Sequence, residues 1–196
     1  MISMDNYREL EKRYGDVSSW AIWKRPGDTP KSFTDDMSVF DSPDLLKTIN
    51  TGYVFVGLNA SNTHGERKDG ICRSWLNFHS GYSRQNDYKL RFALMDTPYW
   101  GSYITDVIKK YPEVDSSKVS TYLKKNPAVV AENIKDFEEE IRLLGGNPVI
   151  VAMGDKAYKI LRENLAHKYK ILLIKHYSFT IGKEDYRKEV LNILNS

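Results

Sequence analysis

The sequence predicts an α/β domain, with a central, mainly parallel four-stranded sheet in a three-layer α/β/α arrangement. Three observations lead there. Apolar segments of strand length alternate with segments of helical period. Two of the strand segments, PVIVAM at 148–153 and KILLIK at 170–175, have unbroken apolar centres, as strands covered on both faces require. No internal repeat or low-complexity stretch interrupts the alternation.

The first strand is expected at Tyr53–Gly57, the apolar part of YVFVGLNAS. A helix is expected over Asn86–Met95, where Tyr88, Leu90, Phe92 and Leu94 supply the apolar side. The second strand, Gly101–Val107 (GSYITDV), is rich in β-branched and aromatic residues. Pro127–Leu144 carries the clearest helical period, with Val130, Ile134, Phe137, Ile141 and Leu144 three or four apart. Gly145 and Gly146 end it, and the acidic triplet Glu138, Glu139 and Glu140 reads as its solvated face. The third strand, Pro148–Met153, leads into a helix at Asp155–Leu165 with Asp155 at its cap and Ala157, Ile160, Leu161 and Leu165 on its buried side. The fourth strand, Lys170–Lys175, precedes a closing amphipathic helix at Lys183–Leu194. Residues 1–50 form an N-terminal extension on the core. Its SSWAIWK segment at 18–24 places Trp20 and Trp23 either against the sheet or over a site.

A chain of 196 residues suits one domain spanning 1–196. No apolar run approaches the roughly 20 residues of a membrane helix, so no membrane partner is expected. The N-terminus, MISMDNYRELEKRYGD, has no apolar core and does not read as a signal peptide. The single cysteine, Cys72, excludes an intrachain disulfide and any multi-cysteine metal site, and reads as an incidental thiol in a reduced compartment. A cytoplasmic monomer without metal or cofactor is the expectation. His64, His79 and His167 lack metal-site spacing and read as surface residues. Between Glu66 and Arg91, Arg67, Lys68, Arg73, Arg84, Lys89 and Arg91 outnumber Glu66, Asp69 and Asp87, leaving a local excess equal to the net +3 of the whole chain. That loop reads either as a surface facing an anionic partner or as a solvated loop.

In open parallel sheets ligands sit outside the carboxyl ends of the strands. There the chain puts Gly57, Asn59 and Ser61 after the first strand, Thr105 and Asp106 near the end of the second, and Gly154 and Asp155 after the third. His176, Tyr177 and Ser178 follow the fourth.

This ordered set resembles the uracil-DNA glycosylase superfamily, in particular its mismatch-specific (thymine/uracil) branch. GLNAS at 57–61 resembles the first motif and HYS at 176–178 the second, while GSYITDVIKK at 101–110 and VIVAMGDKAYKIL at 149–161 resemble its inner strands. NDYKLRFAL at 86–94 sits where the family has a helix, and the resemblance covers roughly residues 50–195. It implies hydrolysis of the N-glycosidic bond of uracil or a related damaged base, flipped out of DNA and attacked by water. Asn59 would orient the water, and His176 would meet the charge that develops on the departing base. Gly57 and Leu58 would line the base pocket, with Phe78 stacking on the base and Trp75 as runner-up. Ser61 and Ser178 would hold the flanking phosphates, helped by Lys175 or Lys183, and Phe179 or Ile181 would wedge into the base stack. Three departures stand out. Asn59-Ala60 replaces the Asp-Pro pair of the most active branch, Tyr177 replaces the proline of the second motif, and the single Cys72 excludes the four-cysteine branch. An alternative is a module of the same fold that binds a nucleobase or nucleic acid and has lost catalysis. A third reading is hydrolysis of free nucleosides.

Overall fold

The computed structural model describes residues 2–59, 74–80, 85–109, 111, 113 and 115–196. In chain order the elements are α1 (Met4–Tyr14), β1 (Ser19–Trp20), a short 3-10 helix (Met37–Asp41), α2 (Leu45–Thr48), β2 (Asn50–Asn59) and α3 (Asp87–Leu94). They continue with β3 (Ser102–Ile108), α4 (Ser116–Lys125), α5 (Pro127–Leu144), β4 (Val149–Met153), α6 (Asp155–Leu165), β5 (Ile171–Ile174) and α7 (Lys183–Leu194). The four expected strands and four expected helices are present, and α5 begins and ends where its period and its two glycines place it.

The sheet has five strands, not four, in the order β1-β3-β2-β4-β5. The extra strand is Ser19–Trp20, paired antiparallel to β3 at the sheet's edge. Two residues carry too little alternation to be read as a strand. What makes them one is the edge of β3, which supplies their partners. The other neighbours are parallel.

Side-chain alternation divides the core between the two sheet faces. Val54, Val56, Tyr103, Val107, Ile150 and Ala152 pack on one face with residues of α1, α4, α5 and α6. Phe55, Ile104, Val151, Met153 and Ile174 pack on the other with α3 and α7. The N-terminal extension joins both cores: Trp20 packs with Tyr7, Trp75 and Tyr103, and Trp23 packs with Phe55, Phe78 and Leu90. Of the two placements open for these tryptophans, packing on the sheet is the one found.

Two further expectations are corrected. Glu140 does not lie on a solvated face. It is fully buried, accepts hydrogen bonds from Tyr103 Oη (2.8 Å) and Thr105 Oγ1 (2.9 Å), and pairs with Lys109 Nζ at 2.6 Å. It directly follows the half-buried Glu139, but about 100° further round the helix it points at the sheet and needs these partners. His79 is likewise not a surface residue. It is buried between Trp23 and Phe40, with Nε2 2.8 Å from Ser19 Oγ, and burial lowers its pKa to about 3.

Candidate functional site

Strand order fixes where the site forms. From β2 the chain crosses to β3 on one side. From β3 it returns past β2 to β4 and continues outward to β5. The connections therefore diverge between β2 and β4, and at the strands' carboxyl ends there open sheets of this kind take their ligands. In register across that edge lie Asp106 of β3 and Gly57 of β2, with Met153 of β4 just beyond the last β2–β4 pair, Val56 and Ala152. Gly154 follows β4 with φ +97°, a conformation that favours glycine, and a side chain there would meet Cβ of His176 at 3.6 Å. The motif after β5 thus lies against the turn after β4.

Gly57 is required by its neighbour. A Cβ at this position would lie 2.2 Å from Oδ1 of Asp106, so the carboxylate occupies the space a side chain would fill. Asp106 is buried, and its other oxygen accepts a hydrogen bond from Asn77 Nδ2 at 3.2 Å. Burial raises its pKa to about 7, opposed by the Asn77 hydrogen bond and by Lys109. A second buried carboxylate, Asp87 at the start of α3, accepts from the Ser80 backbone N–H at 2.9 Å, and burial raises its pKa to about 6. Tyr177 lies near both acids. Its hydroxyl bonds to Asp87, it feels the charge of both carboxylates, and its ring stacks on His176 with centroids 4.2 Å apart. In place of a proline's fixed φ, this loop is held by a stacked ring and a buried hydroxyl.

His176 is half-buried, and burial lowers its pKa to about 4, so it is neutral at pH 7. Its Nδ1 accepts a hydrogen bond from the Ser178 backbone N–H at 3.2 Å and lies 2.7 Å from Ser178 Oγ. An accepting Nδ1 leaves the ring proton on Nε2, which makes Nε2–H a donor. Ser178 therefore orients the imidazole.

Asn59 ends β2, and its Nδ2 donates to the carbonyls of Glu113 (2.7 Å) and Tyr111 (3.4 Å). These bonds fix the amide and tie the segment after β3 to the site. Beside them, Tyr111 and Tyr122 stack with centroids 4.0 Å apart and line an open groove with Ser117, Lys118, Thr121 and Lys125. Leu58 is half-buried.

Trp75 and Phe78 are core residues. The Trp75 indole N–H donates to Tyr7 Oη at 2.8 Å, and the Phe78 carbonyl accepts from Trp23 Nε1 at 3.2 Å. Both hold positive φ, 70° and 66°, in a turn that presents Asn77 to Asp106. Lys175 pairs with Glu189 and sits over the Phe179 ring, and Lys183 sits over Phe92 and pairs with Glu184. Phe179 is exposed, while its carbonyl is fastened to α3 by Lys89 Nζ at 2.9 Å. Lys89 and Arg91 are turned inward, Arg91 onto the carbonyls of Lys24, Pro30 and Ser32, so neither adds charge to the surface. Ser61, His64, Cys72, Arg67, Lys68, Arg73 and Arg84 lie outside the described residues.

The structure thus brings together Gly57, Asn59 and His176 along one edge and adds Asp106, Asp87, Tyr177 and Asn77. The sequence places Asp106 near the end of the second strand, as the one acid of GSYITDVI, but assigns it no role. No three His, Cys, Asp or Glu side chains converge as metal ligands among the described residues, and no helix of theirs is long and apolar enough to cross a membrane. Comparison of the chain with models of known families, with curated proteins and with solved structures returned no match.

Proposed function

We propose that the protein is a DNA glycosylase that hydrolyses the N-glycosidic bond of uracil or a related damaged base by base flipping and water attack. The observation that carries this reading is the placement of Asn59 after β2 and of a neutral His176 after β5 along the same edge of the sheet. A C–N bond breaking with oxocarbenium character puts negative charge on the departing base. An Nε2–H donor from a neutral imidazole stabilises that charge without a proton transfer of its own. Asn59, held by the Glu113 and Tyr111 carbonyls, presents a fixed amide to the attacking water. The groove with Lys118, Lys125 and the stacked tyrosines opens beside Asn59 and suits a polyanion with bases to stack. The uracil-DNA glycosylase-like fold, a DNA partner and a monomeric state belong to this same reading.

The experiment is incubation with labelled duplexes carrying U·G, T·G and hypoxanthine pairs, with Asn59→Ala and His176→Ala as controls. The expected result is an abasic product from one of them that both variants reduce. No product from any duplex at high enzyme excess would remove the proposal.

A specific observation favours a second reading, a base-binding module without turnover. The Asn59 amide N–H groups are committed to backbone carbonyls, and the rings of Trp75 and Phe78 are in the core. That reading predicts tight nucleic-acid binding, steeply weakened by salt, without cleavage and insensitive to Asn59→Ala.

A further inference from the structure

We propose that Asp106 is the general base of this site, taking a proton from the water that attacks the sugar carbon. The proposal rests on the glycosylase reading and deepens it. An amide can orient a water but cannot accept its proton, so Asn59 leaves the reaction without a base. Asp106 lies in register with Gly57 on the neighbouring strand, two residues before Asn59 in the same motif. Its Oδ1 stands in the space that Gly57 leaves empty.

The carboxylate is held from behind. Asn77 Nδ2 donates to Asp106 Oδ2 and to the Val17 carbonyl at 2.7 Å, and it is the only hydrogen-bond donor to the Asp106 side chain among the described residues. Asn77 takes that position because Trp75 and Phe78, on either side of it, both adopt positive φ. Backbone strain of this kind persists where surrounding structure enforces it, and it collects at functional sites. Other charged groups face Asp106 from several elements. Asp87 of α3 and Tyr177 after β5 share its face, and Lys109 Nζ bonds its backbone carbonyl while pairing with Glu140. A carboxyl titrating near neutrality accepts a proton readily at working pH.

Water gives a proton to the Asp106 carboxylate while its oxygen bonds to the sugar C1′. The C1′–N bond breaks, and its electron pair leaves with the base, whose oxygen receives the hydrogen bond of His176 Nε2–H. The proton on Asp106 then passes to solvent or to the departed base, which restores the carboxylate.

The test is single-turnover cleavage of the duplex that the wild-type protein cleaves, between about pH 5 and pH 9, for wild type, Asp106→Asn and Asn77→Ala. Binding to a duplex with a non-cleavable sugar analogue is measured alongside. The wild-type rate should rise with pH and level off above about 7. Asp106→Asn should lose about 100-fold or more, and the acid limb with it, while binding is kept. Asn77→Ala loses the donor that favours the charged carboxylate, so its acid limb should move to higher pH. An Asp106→Asn protein that cleaves near the wild-type rate, or keeps the acid limb, overturns the proposal. If that variant fails to fold, an Asn77→Ala limb at the wild-type position overturns it instead. Absence of any wild-type cleavage removes the glycosylase reading itself, and the base with it.

Discussion

Gly57→Ala is the sharpest probe of the site's geometry, and it does not depend on any activity. Gly57 does not hold a positive φ, so alanine fits the backbone. The obstacle is Asp106. The added Cβ would lie 2.2 Å from its Oδ1, about 1 Å inside an ordinary contact, while Met153 Cε at 3.9 Å is harmless. The carboxylate must swing away, and a displacement of that size breaks its 3.2 Å hydrogen bond from Asn77. Overpacking costs about 1–3 kcal/mol, and leaving the buried carboxylate without its donor costs roughly 1–3 kcal/mol more. Replacing glycine within a strand returns about 0.5–1 kcal/mol. The net expectation is a loss of roughly 2–4 kcal/mol, measured by urea unfolding. In an Asp106→Ala background the obstacle is gone, and Gly57→Ala should be neutral or slightly stabilising. The double-mutant cycle should therefore give a coupling of about 2–4 kcal/mol. A coupling below about 0.5 kcal/mol would refute the claim that Gly57 makes room for this carboxylate.

Three more predictions concern the buried ionisable groups. Glu140→Ala strands Lys109 and the hydroxyls of Tyr103 and Thr105, and should cost about 3–5 kcal/mol. Part of that loss should return in Glu140→Leu/Lys109→Met, and equal unfolding midpoints for wild type and Glu140→Ala would contradict the network. Asp106 holds its proton in the folded state up to about pH 7, against an ordinary value of 3.8. The unfolded chain releases it earlier, so this group's contribution to stability falls as pH rises between those values. Asp106→Asn should therefore gain on the wild type with rising pH, by at most roughly 4 kcal/mol above pH 7. Denaturation curves that stay parallel from acid to alkaline conditions would exclude this. Finally, nitrogen NMR at pH 7 should find His176 neutral with its proton on Nε2 and titrating near pH 4. A proton on Nδ1 would refute the orientation by Ser178.

Much of the scaffold was legible because periodicity is local. The apolar centres of β4 and β5 and the spacing from Val130 to Leu144 announce strands and helix without reference to anything distant. The strand ends were legible for the same reason, since Asn59 and His176 are polar residues that follow apolar runs. Three features escaped because each depends on a partner far along the chain. Ser19–Trp20 is a strand only beside β3. Glu140 resembles its two acidic neighbours in sequence and differs only in facing Tyr103, Thr105 and Lys109. Phe78 and Trp75 looked available for stacking on a base until Trp23 and Tyr7 claimed their surroundings.

The sequence by itself determined the alternating strands and helices, and hence the sheet edge at which polar residues gather. It also determined that Gly57 and Asn59 arrive there from one strand and His176 from another. Only the tertiary structure decided how those residues are set: which nitrogen of His176 carries the proton, what holds the amide of Asn59, and why position 57 is glycine. The physical reason is that protonation, hydrogen-bond direction and free space are properties of a residue's surroundings. Those surroundings are assembled here from segments as distant as Asn77, Asp106 and Tyr177.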